Sequence, residues 1–201
     1  MSNELEHRDD VGSRLGMWIF IFTELLLFGG LFLVYAVYRS MYSEQFHEAA
    51  LELNTFIGAL NTIVLLISSM TIAMGITAIQ KGNKKLSILF VLATLVLAFA
   101  FLVNKYFEWG HKIHLDLYPG SDLMMQLEHG HILFFGLYFF MTGLHALHII
   151  IGGVFIIVCL FKIRNGSINS DDNVLLVNAG LYWHLVDLIW IFLFPLLYLI
   201  S

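Results

Sequence analysis

One cysteine, Cys159, occurs in the 201 residues, and it lies inside an apolar run. A disulfide framework, a CxxC redox pair and a cysteine zinc site are therefore excluded. Charge is also scarce. Charged residues make up 12% of the chain, against about 25% in a soluble domain. The net charge of −5 excludes a broad basic surface for nucleic acid. Glycine-rich phosphate loops, nucleophile elbows and a helical HExxH are absent from the sequence. There is no internal repeat, low-complexity tract or sign of a second domain, so residues 1–201 are expected to form a single membrane domain. The start, MSNELEHRDDVGSR, is polar and mixed in charge, and the apolar run after it is too long for a signal h-region. The first hydrophobic segment is expected to be retained.

What the chain has in quantity is apolar side chains: 59% of its residues are hydrophobic and 18 are Phe. Crossing the hydrocarbon as helix takes about 20 apolar residues. Five segments qualify, at about Leu15–Met41, Thr55–Gln80, Leu86–Gly110, Ile132–Phe161 and Val174–Ile200. The expected fold class is an all-α, polytopic bundle of five transmembrane helices. The connections read as loops: YSEQFHEAALELN is acidic, KGNKK is a short basic turn, HKIHLDLYPGSDLMMQLEHG carries Pro-Gly, and KIRNGSINSDDN carries Asn-Gly. With the N-terminus inside, the inner side receives Arg8, Arg14, Lys81, Lys84, Lys85, Lys162 and Arg164, and the outer side Arg39, Lys105 and Lys112. That bias predicts N-terminus inside and C-terminus outside.

Five ionisable residues fall at similar depth within the spans. Glu24 lies in the first, His145 and His148 in the fourth, and His184 and Asp187 in the fifth. Each pair is three apart and so shares a helix face. Buried ionisable groups of this kind either satisfy one another across helices or handle protons, bind headgroups or join subunits. The histidines and Asp187 can pair among themselves as a polar seam between the fourth and fifth helices, whereas ELLLFGGLF offers Glu24 no local partner. A metal reading competes. Glu108–His111 and Glu128–His131 are both Glu-x-x-His, and with Glu24 they approach the di-iron carboxylate pattern. Glu24 lies deep while both motifs sit at outer helix ends, which speaks against a common site. Haem ligation by His145 or His148 is a further bundle chemistry, with Gly143 and Ala146 leaving room for a macrocycle. Met124 and Met125 read as interfacial packing, and EQFHEAALE as a solvated loop.

The segments WIFIFTELLLFGGLF, LNTIVLLISSMT, KGNKK, YFEW, FFMTGLHALHIIIGG and YWHLVDLIWIFLFPLLYL occur in this order. In that order the chain resembles subunit III of haem–copper respiratory oxidases over essentially its whole length. The resemblance implies an accessory subunit with no haem, copper or other metal of its own and no catalytic residue. Such a subunit packs directly on catalytic subunit I, with subunit II and other respiratory chains in the same complex. It binds phospholipid and helps sustain proton entry and enzyme lifetime. Haem and copper belong to the partner subunits, and the complex reduces oxygen to water while moving protons across the membrane. Glu24 stands at the family's carbodiimide-reactive position, His145, His148, His184 and Asp187 on family positions, and Glu108 at an outer-edge polar one. Lys162 and Arg164 are the candidates for lipid headgroups. Many members have seven helices; this chain resembles the last five. Lys105 replaces an acidic residue of some members. The expectation is a bacterial cytoplasmic-membrane cytochrome c oxidase. Alternatives are a quinol oxidase, where cytochrome c or quinol acts only through the complex, a nitric oxide reductase accessory protein, and, in a different class, a di-metal enzyme built on Glu24, Glu108, His111, Glu128 and His131.

Overall fold

A computed structural model describes residues 10–200, which leaves Arg8 outside the described residues. Five long helices account for the expected spans: α1 (Asp10–Met41), α3 (Thr55–Gln80), α4 (Lys84–His114), α5 (His129–Asn165) and α6 (Val174–Tyr198). Between α1 and α3 lies a short helix, α2 (Ser43–Leu51), and a single 3-10 turn covers Met124–Gln126. All five long helices are apolar enough to cross a membrane, and no strand occurs among the described residues.

α1, α4 and α5 run past the expected spans because their polar ends keep helical backbone beyond the hydrocarbon, whereas α3 matches its span and α6 ends at Tyr198. At about 1.5 Å per residue the 37 residues of α5 extend roughly 56 Å, against about 30 Å of hydrocarbon. The Asn54 and Asn83 side chains accept from the N–H groups of Ile57 and Leu86 and so start α3 and α4. α3 and α4 form a tight antiparallel hairpin through Gly82, whose φ of +76° suits glycine. Gly166, at φ +82°, closes α5 in the same way.

The segment EQFHEAALE is not a loop. It is most of α2, and Phe46, Ala49, Ala50 and Leu53 are buried at i, i+3, i+4 and i+7. That stripe docks on the N-terminal end of α5. A Cβ on Gly130 would stand 2.6 Å from Gln45 Cβ and 2.9 Å from Tyr42 Cβ, so the missing side chain permits the approach. Thus α2 caps one end of the bundle, while the Lys81–Asn83 turn and the α5–α6 loop form the other. Along α1 most residues are exposed, and those on its inner stripe (Ile21, Phe28, Tyr35) rest on α5 and α6.

Candidate functional site

The deepest polar contact of α1 is made by Glu24. Its carboxylate oxygen Oε2 lies 3.0 Å from His148 Nε2 on α5, and its side chain keeps 15% of its surface exposed. The other ring nitrogen, His148 Nδ1, is 2.7 Å from the Leu144 carbonyl. A carbonyl only accepts, so Nδ1 carries a hydrogen. The remaining contact needs one hydrogen between Nε2 and Oε2, whichever atom holds it. Phe28 stands edge-on to the imidazole at 5.3 Å, and Tyr182 Oη donates to the His148 carbonyl at 3.2 Å. The partner that ELLLFGGLF lacks is thus supplied 124 residues later. The result is an acid–imidazole pair that shares a proton between two helices, partly open on the α1 side.

The other sequence-derived residues do not join it, which corrects the expected α5–α6 seam. His145 is fully buried, its ring 5.1 Å from Trp190 and 5.6 Å from Phe101, and neither ring nitrogen has a hydrogen-bond partner among the described residues. His184 Nδ1 turns to Ser69 Oγ on α3 at 2.6 Å. Asp187, 3% exposed, also neighbours Ser69, but its oxygens form no hydrogen bond among the described residues. A polar seam joins α3 and α6 instead. Trp190 Nε1 donates to Thr62 Oγ1 and Trp183 Nε1 to Ser68 Oγ, both at 3.0 Å. Small hydroxyls in LNTIVLLISSMT carry this pattern, and the sequence reading gave them no role.

Glu108, expected as an outer-edge polar residue, lies near the α2 end of α4 and is 6% exposed. Its Oε2 accepts from Lys105 Nζ at 3.2 Å, and its Oε1 from Tyr138 and Tyr198 hydroxyls at 2.6 and 2.5 Å. Lys105, 2% exposed, also reaches the two tyrosine oxygens at 3.2 and 2.9 Å. Its ammonium lies 5.0 to 5.6 Å from the rings of Tyr138, Trp190 and Tyr198. Every strong donor and acceptor here is paired, so the cluster reads as a buried clamp joining α4, α5 and α6. Its sequence signal was the (i, i+3) Lys105–Glu108 spacing.

The residues of the two Glu-x-x-His motifs have separate duties. Glu128 accepts from Gln45 Nε2 at 2.9 Å and His131 lies 3.4 Å from Glu48, so the second motif fastens α2 to α5. Glu24 and Glu108 are engaged elsewhere, and no group of three potential ligands converges among the described residues. A haem does not fit either histidine of α5: aromatic rings enclose His145, and both nitrogens of His148 are engaged. Lys162 and Arg164 are exposed at the end of α5, where Lys84 Nζ donates to the Arg164 carbonyl at 2.8 Å.

A family model described as cytochrome c oxidase subunit III matches residues 6–201. The chain belongs to that family. It is 32% identical over 191 residues to a cytochrome c oxidase subunit 3 of Thermostichus vulcanus, covering 93% of this chain and 87% of the relative. A probable quinol oxidase subunit 3 of Staphylococcus saprophyticus is 29% identical over 206 residues, covering 100% and 96%. A heme-copper oxidase subunit I+III of Aeropyrum pernix is 31% identical over 193 residues; they cover 93% of this chain but 22% of that longer protein. As a subunit III chain it is a multi-pass membrane protein and an accessory subunit of a haem–copper oxidase.

Proposed function

We propose that this chain is the non-redox subunit III of a proton-translocating cytochrome c oxidase in a bacterial cytoplasmic membrane. In this reading it packs on subunit I, holds phospholipid, and keeps protons supplied to a reaction whose haem and copper lie in partner subunits. Subunit II belongs to the same assembly. A subunit I contact is supported by the Aeropyrum pernix relative, whose name joins subunits I and III. A quinol oxidase is the second reading, favoured by the Staphylococcus saprophyticus relative matched along this whole chain.

The carrying observation is the 3.0 Å Glu24–His148 contact. An ionisable pair inside a span is costly unless it is used or mutually satisfied. Here the two groups share a hydrogen bond near the middle of α1 and remain partly accessible. The pair can take a proton from one side of the α1–α5 contact and release it without moving a helix. Lys162 and Arg164 would hold lipid phosphates at the opposite helix end. The proposed orientation is N-terminus inside. It is supported by the exposed Arg14, Lys81, Lys84, Lys85, Lys162 and Arg164 at the basic-turn end, whereas Lys105 and Lys112 at the α2 end are buried.

Glu24→Gln keeps the size and a hydrogen bond to His148 but removes the ionisable carboxyl. The expected result is an assembled complex with slowed proton uptake and faster inactivation during turnover. An unchanged rate and lifetime across pH would remove Glu24 from the proton supply.

A further inference from the structure

A groove of about 380 Å³ runs between α3 and α4, away from the Glu24–His148 pair. Met70, Ala73, Met74 and Thr77 line it from α3, and Leu86 and Phe90 from α4. The small side chains of Ala73 and Thr77 leave the depression, and the flexible Met70 and Met74, 62% and 37% exposed, form an adaptable wall. From Met70 to Lys81 the groove follows α3 for about 16 Å at 1.5 Å per residue. That is roughly half of a 30 Å hydrocarbon core, or one leaflet.

At the interfacial end of this apolar slot stands Lys81, which is exposed and lines the groove. Lys84 and Lys85 follow it on the same turn, and the Lys84–Arg164 contact brings the basic end of α5 alongside. Neither α3 nor the first turns of α4 contribute a carboxylate. One leaflet's length of apolar groove with exposed lysines at its mouth, none of them in a salt bridge among the described residues, matches one occupant by shape and charge. We infer that this groove is a specific site for an anionic phospholipid, its acyl chain along Met70–Thr77 and its phosphate at Lys81. This site is separate from Lys162 and Arg164 as headgroup candidates. It rests on the membrane reading of the chain, not on the proton role of Glu24.

The test uses the complex isolated through this chain and reconstituted in bilayers. A Met70→Cys variant carries a fluorophore at the groove rim, and quenching by brominated phosphatidylglycerol is compared with brominated phosphatidylcholine; unlabelled native complex gives the background. Half-quenching is expected at about fivefold less of the anionic lipid, the equivalent of the roughly 1 kcal/mol that one lysine contributes near an anionic surface. Lys81→Gln, at an exposed position, is expected to erase most of that preference, and Ala73→Phe to weaken quenching by both lipids by filling the slot. Equal quenching by the two lipids, or a preference that survives Lys81→Gln, would reduce the groove to ordinary lipid contact and overturn the inference. Absence of quenching by either lipid would mean that a protein helix covers the groove, and would overturn it too. Because Glu24 is native in all these variants, failure here leaves the proton proposal standing.

Discussion

Cutting the Lys105–Glu108 clamp one residue at a time should cost more than removing it whole. Lys105→Met leaves a buried carboxylate with two tyrosine hydroxyls as donors. Glu108→Leu leaves a buried ammonium with two tyrosine oxygens and three aromatic faces. Removing one partner of a buried ion pair typically costs about 3–5 kcal/mol, whereas an apolar replacement of both is often near neutral. The double variant strands only the tyrosine hydroxyls, each worth about 1 kcal/mol. Each single variant should therefore lower the unfolding temperature of this chain by roughly 6 to 20 °C, at about 2–4 °C per kcal/mol for its size, and the double variant by less than either. Cys159, fully buried and a free thiol, gives the assay. Its labelling by a thiol dye, read on the band of this chain after heating the complex, follows the loss of packing. Additive losses in the double variant would refute the clamp, since the two charges would then act independently.

Packing gives a contrasting pair. A Cβ on Gly152 would meet Tyr182 Cε1 at 2.8 Å and Trp183 Cε3 at 3.0 Å, rings that cannot yield. Gly152→Ala should cost about 1–3 kcal/mol by overpacking. On Gly180 the Cβ would meet Ile76 Cδ1 at 2.5 Å; that methyl can rotate away, so Gly180→Ala should lower the Cys159 labelling temperature less. Ser69→Ala removes the hydroxyl bound to His184; the expected loss is about 0.6 to 2 kcal/mol, the range of interhelical hydrogen bonds in membranes. The same labelling assay would reveal no shift if His184 were satisfied elsewhere.

The five spans were legible because roughly 20-residue apolar runs have few alternatives in a membrane. Motif order placed the chain in its family by comparison with known members. The helix ends were less legible, since polar residues extend α4 and α5 without an apolar signal. α2 was missed because its acidic residues dominate a short stretch, yet Phe46, Ala49, Ala50 and Leu53 carry a helical stripe. Residue identities placed Glu24, His145, His148, His184 and Asp187 at one level but not on one contact. Helix rotation decides partners, and it turned His148 to α1 and His184 to α3. Periodicity does not report that rotation when a helix is apolar on all sides. Lys105 was read as a changed edge residue because its three aromatic neighbours come from distant segments.

A subunit III chain serves an oxidase complex rather than acting alone. Isolating it under mild detergent through a tag, then recording the reduced-minus-oxidised spectrum and identifying its companion chains, tests that most directly. Haem bands are expected together with a subunit I chain in stoichiometric amount. A chain that isolates without a haem-bearing partner, or that itself carries stoichiometric iron or manganese, would contradict that role.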